Sequence, residues 1–84
     1  MAHVVLPAVE TFMLGTTERE QAMKVLEEAA EVMAAQRLED RERVIEECAD
    51  VIQATCNLLT MLGVSSMTAP MAACNRRNRE RGRL

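Results

Sequence analysis

Residues 24–32 read KVLEEAAEV and residues 43–51 read RVIEECADV. Five of the nine positions are identical, and the other four are conservative pairs. A repeat constrains a short chain strongly, because the local structure of one copy must also suit the other. Both copies space their apolar residues at the period of a helix. Each carries an acid-x-x-acid step, Glu28 to Glu31 and Glu47 to Asp50. Acids three apart share one face of a helix.

At about 100° per residue, Ala22, Val25, Leu26, Ala29, Val32 and Met33 form one apolar stripe, with Lys24, Glu28 and Glu31 along its edge. In the second copy Val44, Cys48, Val51, Ile52, Thr55, Leu59 and Leu62 form the stripe. Arg43, Glu47, Asp50 and Asn57 follow the same edge. A short turn at residues 36–40 makes the two helices antiparallel neighbours. Glu31 and Glu47 are then equally far from residue 39, and so are Glu28 and Asp50. The acid pairs stand level, and four carboxylates converge.

Converging carboxylates repel one another and resist desolvation. A hard divalent cation offsets that cost with oxygen ligands, and Mg²⁺ also takes phosphate oxygens. Glu28, Glu31, Glu47 and Asp50 are therefore the expected metal ligands and the pool for the catalytic base. The bland alternative is a solvated acidic face, the usual meaning of Glu on a helix. Two level pairs within a repeat favour a site.

The pattern K-x-x-E-E-x-x-E, followed by E-E-x-x-D, resembles the all-α nucleotide pyrophosphohydrolases of the MazG type. It also resembles phosphoribosyl-ATP pyrophosphohydrolase of histidine biosynthesis, from the same superfamily. The matching residues are Lys24, Glu27, Glu28, Glu31, Glu46, Glu47 and Asp50. RNRERG at 77–82 is similar to the K-N-x-x-R-G of many MazG-like chains, with Arg in place of the usual Lys. The resemblance spans about residues 16–83. It implies an enzyme dependent on Mg²⁺, with Mn²⁺ able to replace it. That enzyme hydrolyses a nucleoside triphosphate to the monophosphate and pyrophosphate. Phosphoribosyl-ATP hydrolysis ranks second, because RNRERG and the N-terminus fit it less well. Lys24, Asn57, Arg77, Asn78 and Arg81 are the expected substrate-binding residues. Lys24 also suits an i,i+4 pair with Glu28, and Arg43 suits surface pairing. Arg77 and Arg81, one turn apart, suit a phosphate clamp. Glu27 and Glu46 fall further round the wheel, where solvent exposure is favoured over support of the site.

The 84 residues make one small all-α domain, 1–84, which buries little surface alone. Phe12 is the only aromatic residue, so the core must be aliphatic. Helices with apolar residues on several faces, among them Ala49, Ala54, Cys56 and Met61, point to a second partner surface. Two hairpins joining into a four-helix bundle, as a dimer or tetramer, satisfy it, and the resemblance points the same way. Cys48, Cys56 and Cys74 form no C-x-x-C pair, and their odd number argues against a disulfide framework. A reducing cytoplasm fits. His3 is the only histidine, which argues against zinc and Glu-x-x-His di-iron sites. No apolar run reaches the length of a membrane span, and no signal peptide is evident.

Residues 76–84 hold five Arg against one Glu, a charge of +4, while the rest carries −7. An acidic middle and a basic end suit a metal–phosphate site. Two other classes remain: a non-catalytic helical assembly module, and a nucleic-acid accessory protein using the Arg tail. The last is weak without aromatic residues.

Residues 1–6 are expected to be extended. Pro7 opens a short helix through Phe12 to Leu14, stopped by Gly15. Val9, Phe12 and Met13 serve the core in preference to a nucleoside pocket. Thr17 and Glu20 form a capping box for a helix to about Gln36. Asp40 caps the next helix, which runs to Leu62 and ends at Gly63. Ser65, Ser66 or Thr68 caps a last helix with Pro70 in its first turn, fraying by Gly82.

Overall fold

The computed structural model describes residues 2–84. It holds three α-helices and, among the described residues, no strand: α1 Glu18–Arg37, α2 Arg41–Met61 and α3 Thr68–Glu80. The fold is all-α. None of these helices is long and apolar enough to cross a membrane.

The ends of α1 and α2 follow from local chemistry. The Glu20 amide donates to the Thr17 hydroxyl at 3.1 Å, and the Thr17 amide donates to Glu20 Oε1 at 3.0 Å. The Thr17 amide, and after it the Thr17 hydroxyl, hold the Glu20 carboxyl below its ordinary pKa. Asp40 Oδ1 accepts the Arg43 amide at 3.1 Å and starts α2. Between them the chain reverses through Glu39, whose φ of 55° lies in the left-handed region. That costs a non-glycine residue about 1–2 kcal/mol, and hairpin packing must offset it. Gly63, with φ 75°, ends α2, and the Val64 amide closes onto the Leu59 carbonyl at 2.9 Å.

α1 and α2 pack as an antiparallel hairpin. Its seam differs from the expected stripes. Gln21, Val25, Glu28, Val32 and Ala35 face Val44, Glu47, Val51, Ala54 and Leu58, all buried or half-buried. Leu26 and Met33, expected in the stripe, are 64% and 54% exposed. Cys48 and Leu62 are exposed as well. The seam is rotated toward the acidic edge, and Ala35 and Ala54, 4% and 5% exposed, are its buried apolar residues. Gln21 Nε2 reinforces it by donating to the Ala54 carbonyl at 3.0 Å. The larger side chains are left on the outer faces.

The short helix expected from Pro7 to Leu14 does not form. The segment instead runs as a strap along α2. Gln53 Nε2 donates to the Glu10 carbonyl at 2.9 Å, and the Phe12 amide donates to Asn57 Oδ1 at 3.1 Å. Thr60 Oγ1 donates to Thr11 Oγ1 at 2.7 Å. Gln53 and Asn57 lie about a turn apart, so α2 satisfies two backbone groups that a helix would have satisfied internally. Phe12 stays half-exposed and Met13 exposed, so neither serves the core. Truncating Asn57 to Ala removes the acceptor from both Phe12 and Gln53. It is expected to cost about 1–3 kcal/mol in urea denaturation, with faster hydrogen exchange at the Phe12 amide.

α3 packs on neither α1 nor α2. Its N-cap is Met67, with no side-chain cap bond from that residue. Ser66, one of the three expected caps, instead accepts the Thr68 amide at 3.3 Å.

Candidate metal and phosphate site

The hairpin brings three of the four repeat acids together. Glu28, Glu47 and Asp50 each offer a carboxylate oxygen within 4.8 Å of the other two. Glu28 comes from α1 and the other two from α2, so the group exists only once the helices have paired. Glu47 is buried at 8% exposure, Glu28 is half-buried and Asp50 is open to solvent. The group is thus anchored in the seam and accessible from one side. Oxygens bound to Mg²⁺ at about 2.0–2.1 Å stand roughly 3–4 Å apart. Small side-chain adjustments suffice, and an all-carboxylate donor set is the chemistry a hard divalent cation prefers.

Glu31 does not join the group and is exposed. Glu27 and Glu46 point to solvent as expected. Each repeat copy also supplies a cation. Lys24 Nζ lies 3.6 Å from Glu28 Oε1, the i,i+4 pair foreseen in the sequence. Arg43 Nε donates to Glu47 Oε1 at 2.7 Å. That hydrogen bond, with the Glu47 charge and smaller contributions from Glu46 and Glu31, pushes the Arg43 guanidinium above its ordinary pKa.

The remaining expected substrate residues are not gathered here. Asn57 is buried, and its Oδ1 is taken by the Phe12 amide and by Gln53 Nε2 at 2.9 Å. Arg77 and Asn78 ride on α3 and Arg81 is its C-cap, off α1 and α2, and none makes an ion pair with the acids among the described residues. Asn78 serves its own helix end, where Oδ1 accepts Arg83 Nη1 at 3.2 Å.

Gln21 and Gln53 lie outside the expected site residues. A signal for Gln21 was present: Gln21, Val25, Glu28, Val32 and Ala35 are spaced by alternating fours and threes, as are Val44, Glu47, Val51, Ala54 and Leu58. Such heptad spacing marks a helix–helix seam, and here polar residues occupy it. Nothing local in the sequence marks Gln53 as a strap anchor.

The family model for phosphoribosyl-ATP pyrophosphohydrolase matches residues 8–78. No curated protein and no solved structure matches the chain. The matched stretch holds the strap, both repeat copies and the first two residues of RNRERG. With both acid steps inside a match over most of its length, the chain belongs to the phosphoribosyl-ATP pyrophosphohydrolase family, metal-dependent enzymes that hydrolyse a phosphoanhydride bond.

Proposed function

We propose that the chain hydrolyses the anhydride between the α- and β-phosphates of phosphoribosyl-ATP, releasing pyrophosphate. The observation that carries this reading is the family match over the residues that build the three-carboxylate group. Glu28, Glu47 and Asp50 would hold Mg²⁺, or Mn²⁺ in its place. Bound there, the ion would supply Lewis-acid polarisation of a phosphoryl oxygen and an acidified water.

The chain's own groups do the rest. Glu31 sits one turn from Glu28 but outside the ligand group, so it is free to accept the proton of the attacking water. That water bonds to the α-phosphorus, and the bond to the bridging oxygen breaks. Lys24 is 54% exposed and only loosely paired, so it can turn toward a phosphate. Arg77 and Arg81 lie one turn apart at the end of a helix that packs on neither α1 nor α2. A neighbouring subunit is the natural recipient of that helix, and the pair then offsets charge on the leaving pyrophosphate. Asn57 contributes indirectly, by fixing the strap.

Assembly belongs to the same reading. Met23, Leu26, Ala30 and Met33 line the face of α1 opposite α2, and all four are exposed. The groove between the strap and α2 leaves Leu6, Val9, Ala49 and Ile52 around another apolar surface. A homo-oligomer built on a four-helix bundle covers such faces. Three free cysteines fit a cytoplasmic setting.

A second substrate reading, general nucleoside triphosphate hydrolysis, is favoured by RNRERG, most of which lies beyond the matched residues. One assay separates the two: pyrophosphate release from phosphoribosyl-ATP and from a panel of nucleoside triphosphates, with Mg²⁺ or with excess chelator. The expected result is release from phosphoribosyl-ATP that chelation reduces by more than about 100-fold. Turnover of triphosphates alone moves the substrate to the second reading. Turnover unaffected by chelation removes the metal from both.

A further inference from the structure

Arg43 has no role in the reaction as described, yet its guanidinium occupies an oxygen of the most buried acid of the group. Each repeat copy places a cation four residues before its first clustered acid, Lys24 before Glu28 and Arg43 before Glu47. The two pairs are unequal, at 3.6 Å and 2.7 Å. The exposures of the tighter pair are also unequal: the Arg43 side chain is 55% exposed, the Glu47 side chain 10%. Glu47 is fixed in the seam, whereas Arg43 lies over it from solvent and can leave.

A guanidinium and a divalent ion seek the same carboxylate and repel each other at close range. Glu46, exposed and near enough for its charge to act on Arg43, can receive it. We infer that Arg43 is the resident counter-cation of Glu47, displaced when a divalent ion binds between Glu28, Glu47 and Asp50, and then free to hold a phosphate of the substrate. This rests on the reading of those three acids as the metal ligands. In the metal-free chain Arg43 offsets the repulsion of three clustered carboxylates. Once displaced it remains at the rim of the group, where its planar fork suits a phosphate. Arg43 is a positioning residue in the first state and a substrate-binding residue in the second.

Calorimetric titration of Mn²⁺ alone tests this, with wild type, Arg43→Gln, Arg43→Lys and Arg41→Gln. Arg41 pairs with Glu42 at 3.0 Å, outside the acid group, so its loss removes the same charge elsewhere. Arg43→Gln is expected to tighten Mn²⁺ binding about two- to fivefold, the scale of releasing a half-exposed ion pair. Arg43→Lys should fall between it and wild type, and guards against a folding defect in the neutral variant. Arg41→Gln should leave the affinity nearly unchanged. In turnover assays Arg43→Gln should raise KM for the nucleotide, opposite in direction to its gain in metal affinity. Weaker Mn²⁺ binding by 10-fold or more would show Arg43 supporting Glu47 from behind the metal, and would overturn the inference. So would an effect no larger than that of Arg41→Gln. Wild type that binds no Mn²⁺ defeats the metal reading itself, a failure distinct from the other two.

Discussion

Glu47→Gln is expected to reduce pyrophosphate release by more than about 100-fold, beyond the range typical of residues that only support a metal ligand. Glu47 is the most buried of the clustered acids, and the amide keeps its size and its acceptor for Arg43. Only the charge and the second anionic oxygen are lost. A ligand at 100 times its Kd stabilises wild type by about 2.7 kcal/mol, so saturating Mg²⁺ should raise the wild-type Tm and leave the variant unmoved. Without metal the variant should be as stable as wild type or more so, because one of three neighbouring negative charges has gone. Full turnover together with a large loss of metal-free stability would reassign Glu47 to a structural ion pair. Both quantities come from one coupled phosphate assay and two thermal melts.

Leu26→Glu is expected to break the proposed homo-oligomer. Leu26 is 64% exposed in the single chain and lies on the side of α1 away from α2. Met23, Ala30 and Met33 extend the same strip. Burying a leucine contributes about 1.5–3 kcal/mol, and each subunit of a symmetric pair would lose it. A charge in its place adds desolvation and like-charge repulsion across the interface. Sedimentation should shift to the monomer, and Tm should fall and become independent of protein concentration. Unchanged sedimentation would place the subunit contact on another face, such as the groove beside the strap. Glu27→Gln, a one-unit charge change at a residue already in solvent, serves as the control.

The legible parts of this chain were those set by neighbours in sequence. Thr17 with Glu20, Asp40 with Arg43, and Gly63 after α2 each act within a few residues, so the boundaries of α1 and α2 could be placed from the chain itself. The acid repeat was legible for the same reason, since spacing alone puts the acids on one helical face. The strap was not. Pro7 and Gly15 suggested a helix between them, but Gln53 and Asn57, more than forty residues away, offered the backbone other partners, and Thr60 took the Thr11 side chain. The seam's rotation was masked, because hydropathy put Leu26 and Met33 inside while the heptad spacing that marks the seam runs through the polar Gln21, Glu28 and Glu47. Packing of α1 on α2 buried Ala35 and Ala54 and put Glu28 and Glu47 in the seam instead.

The sequence by itself determined three helices' worth of pattern, the caps of α1 and α2 and the identity of the acids, because those depend on local geometry and period. Only the tertiary structure decided which acids meet. Helix pairing selected Glu28, Glu47 and Asp50 and left Glu31 outside, since the rotation of each helix about its axis is fixed by the partner it packs against.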